Sequence, residues 1–231
     1  MESNRSIIGR DIERVLVVAA HPDDEVLGCG GTIARYASAG TRVTTIFLAD
    51  GVASRGTSDR QEQQRCQAAM DKAAKCLGLS EVEFYQLPDN QLDTAALLKP
   101  TQIVERAVRK YQPDLVLTHH AGDVDVDHQR VHQAVITACR PQPGHPAKTL
   151  LFLEVPSSTE WQPPGSAPPF LPNWFVDIEA HRSAKHAAFL MYEEEWRNFP
   201  HPRSIEALEC WRGATVGVKA AGAFMLGRQI Q

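Results

Sequence analysis

The chain has 231 residues, 43% of them apolar, and a formal net charge of −4. That length and apolar content suit one α/β domain with a sizeable core. Mild acidity without a long basic run excludes nucleic acid as an expected partner, and no apolar stretch of about 18 residues supports a membrane span.

The opening segment MESNRSIIGRDIERV lacks the charged-then-apolar pattern of a secretory signal. The cysteines (Cys29, Cys66, Cys76, Cys139 and Cys210) are odd in number and form no CxxC pair. Free thiols in a cytoplasmic setting are therefore expected, not a disulfide framework or a thiolate-bound structural zinc.

A first strand is expected at Val15-Leu16-Val17-Val18-Ala19-Ala20, which is short, apolar and rich in β-branched residues. His21-Pro22-Asp23-Asp24-Glu25 follows directly. The chain thus leaves the core carrying an imidazole and three carboxylates. In open α/β sheets, ligands bind just outside the carboxyl ends of the strands. The spacing lets His21 and Asp24 converge on one metal ion from a tight turn, leaving Asp23 free as a base. The plain structural alternative is an acidic cluster capping the next helix. Glu25 is read as a cap or support of the loop.

Gly28-Cys29-Gly30-Gly31 reads as a turn before a short helix from Thr32 to Ala37. Its spacing is not G-x-G-x-x-G and it lies after the acidic cluster, so a nucleotide cofactor is not expected. The glycines are assigned to close packing of the helix start. A second strand, Arg42 to Leu48, ends at Asp50-Gly51. A polar loop with Arg55 follows, then a helix from about Asp59 to Leu77 that stops at Gly78. A third strand spans Val82 to Leu87, and a helix runs from about Thr94 to Tyr111 with Pro100 near its start.

A fourth strand, Asp114 to Thr118, opens into His119-His120-Ala121-Gly122-Asp123-Val124-Asp125-Val126-Asp127-His128. A helix from His128 to Ala138 and a fifth strand from Thr149 to Val155 come next. Pro156 to Pro172 is rich in Pro, Ser and Gly and reads as a lid or a subunit contact. A last strand is expected at Trp174 to Ile178, and two helical stretches, Glu179 to Trp196 and Ser204 to Gly213 and beyond, finish the chain. Alternating strands and helices predict a Rossmann-like α/β fold: a single domain with a mostly parallel sheet and helices on both faces.

Two strand ends therefore carry His and acid clusters, and adjacent parallel strands would bring them together. His128, opening a helix directly after Asp127, is the best third metal ligand, giving two imidazoles and one carboxylate with an open position. Asp127 is expected to orient its ring. His132 lies four residues on, but the glutamate of an H-E-x-x-H helix is missing, so His132 is assigned to packing or to the surface.

Ala20-His21-Pro22-Asp23-Asp24-Glu25 resembles the signature of the PIG-L/LmbE-type zinc-dependent de-N-acetylases. The resemblance continues at Asp50-Gly51, at Thr118-His119-His120, through Asp123 to His128, and at Pro200-His201-Pro202-Arg203-Ser204 and Trp211-Arg212-Gly213. It implies zinc held by His21, Asp24 and His128, with Asp23 as general base. It also implies removal of an acetyl group from an N-acetylated amino sugar or its conjugate. Many members read His-Pro-Asp-His in the second motif. Here Asp125 stands at the first of those histidines. An aspartate cannot supply a cation there, so His201 or His119 is the expected substitute at the catalytic centre, unless Asp23 acts alone. Asp50, Arg55, His119 and Arg203 are the expected substrate contacts.

The expected function is a zinc-dependent N-deacetylase with a small-molecule N-acetyl-sugar substrate. Alternatives are an amidase acting on another small amide, such as a thiol-sugar conjugate, and a non-catalytic metal- or sugar-binding domain. Iron or cobalt could replace zinc in this ligand set. The Pro156–Pro172 segment and the C-terminal helices are candidate contacts for a homo-oligomer.

Overall fold

The computed structural model describes residues 12–51, 60–192 and 202–230. Along β1 (Arg14–Ala19), successive side chains enter two different cores. Val15, Val17 and Ala19 face one side of the sheet, and Leu16, Val18 and Ala20 face the other. Alternation of this kind is the strand period, and burial on both faces explains the unbroken apolar run.

The elements follow as α1 (Asp24–Ser38), β2 (Arg42–Ala49), α2 (Arg60–Leu77), β3 (Glu81–Leu87) and α3 (Leu98–Tyr111). Then come β4 (Leu115–His119), α4 (Val126–Ala138), β5 (Thr149–Leu153), β6 (Trp174–Asp177), α5 (Arg182–Leu190), α6 (Pro202–Ala214) and β7 (Ala221–Gln229). The sheet order is β3-β2-β1-β4-β5-β7-β6. The first five of these pair in parallel, and β7 pairs antiparallel to both β5 and β6. Side chains from α1, α2 and α5 fill one core; those from α3 and α4 fill the other. This is the expected mostly parallel α/β sheet with helices on both faces.

The chain leaves β1 towards β2 on one side, and β4 adds on the other. That reversal of strand order opens a crevice at the carboxyl ends of β1 and β4. Val18 pairs with Thr118, and the Thr118 hydroxyl donates to the Val18 carbonyl at 3.0 Å, which locks this register. Both His-and-acid clusters leave the sheet here.

Two expectations about local structure are corrected. Gly28, Gly30 and Gly31 lie inside a continuous helix that starts at Asp24, not in a turn before it. A Cβ on Gly28 would lie 2.6 Å from Leu153 Cδ1, and one on Gly31 would lie 2.7 Å from Ile178 Cδ1. Close approach of α1 to its neighbours requires the glycines, although each costs a helix about 1 kcal/mol relative to alanine. The chain also ends in strand β7, where the sequence pattern predicts a helical continuation. Gly222 of β7 sits where a Cβ would meet Thr32 Oγ1 at 2.5 Å, so this strand too is shaped by contact with α1.

Gly31→Ala is expected to be destabilising by about 1–3 kcal/mol, because the new methyl would overpack the core. The added carbon would meet Ile178 Cβ at 3.0 Å as well as its side-chain tip, so a rotamer change cannot relieve it. Thermal unfolding of the variant checks this; an unchanged or raised Tm would show that α1 can move away.

Candidate active site

The turn between β1 and α1 is built from its own polar groups. Asp24 N–H donates to the His21 carbonyl at 3.3 Å, and the His21 N–H donates to Asp24 Oδ2 at 2.8 Å. The Asp24 side chain is thereby turned back over His21. Its Oδ2 lies 3.7 Å from His21 Nδ1, and its Oδ1 lies 3.3 Å from Nε2 of His128 on α4. The ligand atoms of His21, Asp24 and His128 all fall within 4.8 Å of one another. The structure therefore brings the three expected ligands together across the β1–β4 crevice.

Each imidazole is held from behind. His21 Nε2 lies 3.2 Å from Asp127 Oδ2 and 3.2 Å from Asp89 Oδ1. His128 Nδ1 lies 3.2 Å from Asp123 Oδ2. A carboxylate behind a histidine fixes its tautomer and presents the opposite nitrogen as a ligand. Nδ1 of His21 and Nε2 of His128 are thus the free donors, and both face Asp24.

This corrects the expected partner of His128, which is Asp123 and not Asp127. Asp127 is fully buried and also accepts the amides of Asn90 at 2.7 Å and Leu92 at 2.9 Å. It ties the turn after β3 to His21. Asp123 in turn accepts from the hydroxyls of Ser158 and Thr159, so the segment after β5 braces His128 indirectly. Sequence reasoning missed Asp89 as well; no local signal links residue 89 to residue 21.

The charges explain the protonation tendencies. Burial lowers the His21 imidazole, but Asp127, Asp89 and Asp24 outweigh it and push it up to about 10. Burial likewise opposes the charge on His128, yet Asp24 and Asp123 hold it well above the ordinary histidine value. Burial raises Asp24, while His128, His119 and His21 pull its carboxyl far below the usual range. Asp123 is brought down to about 2, against burial, by His128 and the two hydroxyls. Carboxylates outnumber imidazoles here, and a cation between His21, Asp24 and His128 would compensate that excess. The donor set, two imidazole nitrogens and one carboxylate, is that of catalytic zinc sites with an open position.

Asp23 has a left-handed φ of 109°, a conformation that costs a non-glycine residue about 1–3 kcal/mol. Its carbonyl accepts from Val26 and Leu27 at 3.0 and 2.9 Å, and its side chain caps nothing. The carboxyl is raised by burial and then by the neighbouring Asp24 and Glu25 charges. Among the neighbours of the ligand cluster it is half-buried and uncommitted.

The remaining expected residues separate. Asp125 caps α4: its carboxylate accepts from the amides of Asp127 at 2.7 Å and His128 at 3.3 Å. His119 is fully buried, stacked on His128 at 3.9 Å between centroids, and its Nε2 accepts from Ala20 N–H at 2.9 Å. Burial and His128 lower it to about 3, and its Nε2 also lies 3.5 Å from Asp24 Oδ2. His132 packs on Phe152 and holds the His119 carbonyl at 2.9 Å, in line with a packing role. Asp50 is buried at the end of β2, and the adjacent Gly51 approaches His21. Arg203 is exposed in the first turn of α6. Arg55 and His201 lie outside the described residues.

Comparison with known proteins assigns the family. Residues 16–139 match the family model described as GlcNAc-PI de-N-acetylase, PIG-L. The chain is 31% identical over 153 residues to the uncharacterized deacetylase YaiS of Escherichia coli K12, covering 62% of this chain and 75% of that protein. It is 26% identical over 232 residues to the 1D-myo-inositol 2-acetamido-2-deoxy-alpha-D-glucopyranoside deacetylase of Rhodococcus erythropolis, covering 85% of this chain and 72% of that enzyme. The conserved protein TT1542 from Thermus thermophilus superimposes with a TM-score of 0.76 at 26% identity, over 95% of this chain and 96% of that one. The matched segment contains the β1 turn, both supporting carboxylate clusters and His128, and on that match the chain belongs to the PIG-L (GlcNAc-PI de-N-acetylase) family.

Proposed function

We propose that this chain is a zinc-dependent hydrolase that removes the acetyl group from an N-acetylated amino sugar or its conjugate. One observation carries the reading. His21, Asp24 and His128 converge at the strand-order reversal with the uncommitted carboxyl of Asp23 in the same turn. The similar Rhodococcus erythropolis enzyme, named for deacetylation of an inositol-linked acetamido sugar, supports the substrate class.

In this reading, His21 Nδ1, Asp24 and His128 Nε2 hold the metal. A bound divalent cation supplies Lewis acidity, which acidifies water and polarises an acyl oxygen. Asp23 takes the proton of the attacking water. The water oxygen bonds to the acetamide carbonyl carbon, the C–N bond breaks, and Asp23 returns the proton to the departing amine nitrogen. Burial and the charges beside it raise the Asp23 carboxyl, the direction that suits proton exchange near neutral pH. Asp127 with Asp89, and Asp123, keep the two imidazoles oriented. Asp50 at the crevice rim remains a proposed substrate contact. No described helix is long and apolar enough to cross a membrane; a cytoplasmic setting belongs to this reading.

The test is metal content of the purified protein alongside acetate release from free, nucleotide-linked and glycoside-linked N-acetyl sugars. Bound zinc with acetate release supports the enzyme. Bound zinc without release from any sugar favours another amide or a binding role, and failure to bind zinc overturns the ligand assignment. Asp123→Asn is expected to weaken zinc affinity about 10- to 100-fold while leaving the ligands in place. Competition with a zinc chelator reads this, and an unchanged affinity would remove Asp123 from the site.

A further inference from the structure

We infer that Glu25 and Tyr192 are positioning residues for Asp23, anchoring its main-chain amide so that its carboxylate leaves the β1–α1 turn in the working direction. The inference rests on the reading of Asp23 as the base.

Asp23 keeps a φ of 109° without the freedom of glycine, so its surroundings must hold this strained backbone in place. Its carbonyl is held by the first amides of α1. Its amide is held by one side chain: Asp23 N–H donates to Glu25 Oε2 at 3.0 Å. Glu25 is held in turn, since the Tyr192 hydroxyl donates to Glu25 Oε1 at 2.9 Å. Both residues are buried, Glu25 at 1% and Tyr192 at 2% exposure.

A helix-start glutamate at the surface would need no further explanation. This one is fully enclosed, with each oxygen engaged by a named donor. The second donor comes from just beyond α5, 167 residues away in sequence. Burying a carboxylate is costly unless it is hydrogen-bonded, and here one of its bonds ends on the strained peptide of Asp23. Relaxation of Asp23 to negative φ would swing its Cα–Cβ bond and move the peptide that joins it to Asp24. A displacement of about 1 Å in a reacting group can cost about 100-fold in rate.

Three variants test this. Glu25→Gln keeps an oxygen for the Asp23 amide and offers an NH2 to the Tyr192 oxygen; Glu25→Ala removes the anchor; Tyr192→Phe removes only its second support. Expected losses in kcat are about 100-fold for Glu25→Ala and about 10-fold for Tyr192→Phe, with KM and bound zinc unchanged. Glu25→Gln should remain within a few-fold of the parent. A second readout does not depend on activity: Asp23 amide hydrogen exchange, by NMR, should be slow in the parent and Glu25→Gln and faster in the other two. Parent-like kcat and slow exchange in Glu25→Ala and Tyr192→Phe would overturn the inference. So would a Glu25→Gln variant as inactive as Glu25→Ala with its Asp23 amide still protected, which would make Glu25 a proton carrier. If Glu25→Ala fails to fold, Tyr192→Phe and Glu25→Gln decide. If the parent releases no acetate, the functional reading fails, and the exchange data still decide the anchoring.

Discussion

Asp23→Asn is expected to lower kcat by about two to four orders of magnitude, the range that general acid–base catalysis contributes, with zinc still bound. The side chain is isosteric, and Asp23 supplies none of the converging ligand atoms. Its backbone contacts also survive, because the Glu25 and α1 hydrogen bonds use the peptide groups of residue 23. What disappears is the capacity to take and return a proton. Asp125 cannot substitute, since its carboxylate is spent on the amides of Asp127 and His128. His119 cannot either, since it is fully buried and holds the Ala20 amide. Steady-state acetate release with metal analysis on the same sample checks the prediction. Near-parent kcat would remove Asp23 as the base. Zinc loss would make it a ligand.

Asp24→Ala is expected to abolish zinc binding and, with it, activity. Asp24 is the residue on which the centre converges: one oxygen faces His128 at 3.3 Å, and the other faces His21 and accepts its amide at 2.8 Å. Without that carboxylate the two imidazoles remain as ligands, each with a carboxylate behind it. A site with two imidazole ligands falls short of the three-ligand set of catalytic zinc. The His21 amide also loses its acceptor, and an unsatisfied buried polar group costs about 1–3 kcal/mol. The parent should carry about one zinc per chain and the variant none, with a lower Tm. Retained stoichiometric zinc would move the centre elsewhere, and the cluster of His21, Asp89 and Asp127 would be the place to look.

Much of this was legible in the chain itself. The run from Val15 to Ala20 reads as a buried strand because it is short, apolar and β-branched, and all six side chains are buried in the structure. The spacing of His21 and Asp24 follows from the turn at the end of that strand, so the pair converges through local hydrogen bonds alone. His128 could be picked out because it opens a helix directly after Asp127, in a second His-and-acid cluster that follows a buried strand.

The tertiary structure decided the partnerships. Asp123, Asp125 and Asp127 alternate in sequence and are chemically equivalent there, yet they brace His128, cap α4 and hold His21 respectively. Local pattern cannot rank them, because each role depends on which distant group the sheet order brings opposite. The glycines of α1 looked like a turn, since the contacts that need them come from Leu153, Ile178 and Lys185. β7 looked helical because its reason to extend is pairing with β5 and β6, which no local window contains. The bond from Tyr192 to Glu25 joins groups 167 residues apart in sequence. The sequence by itself determined the chemistry carried by the first turn; long-range packing decided which groups orient it.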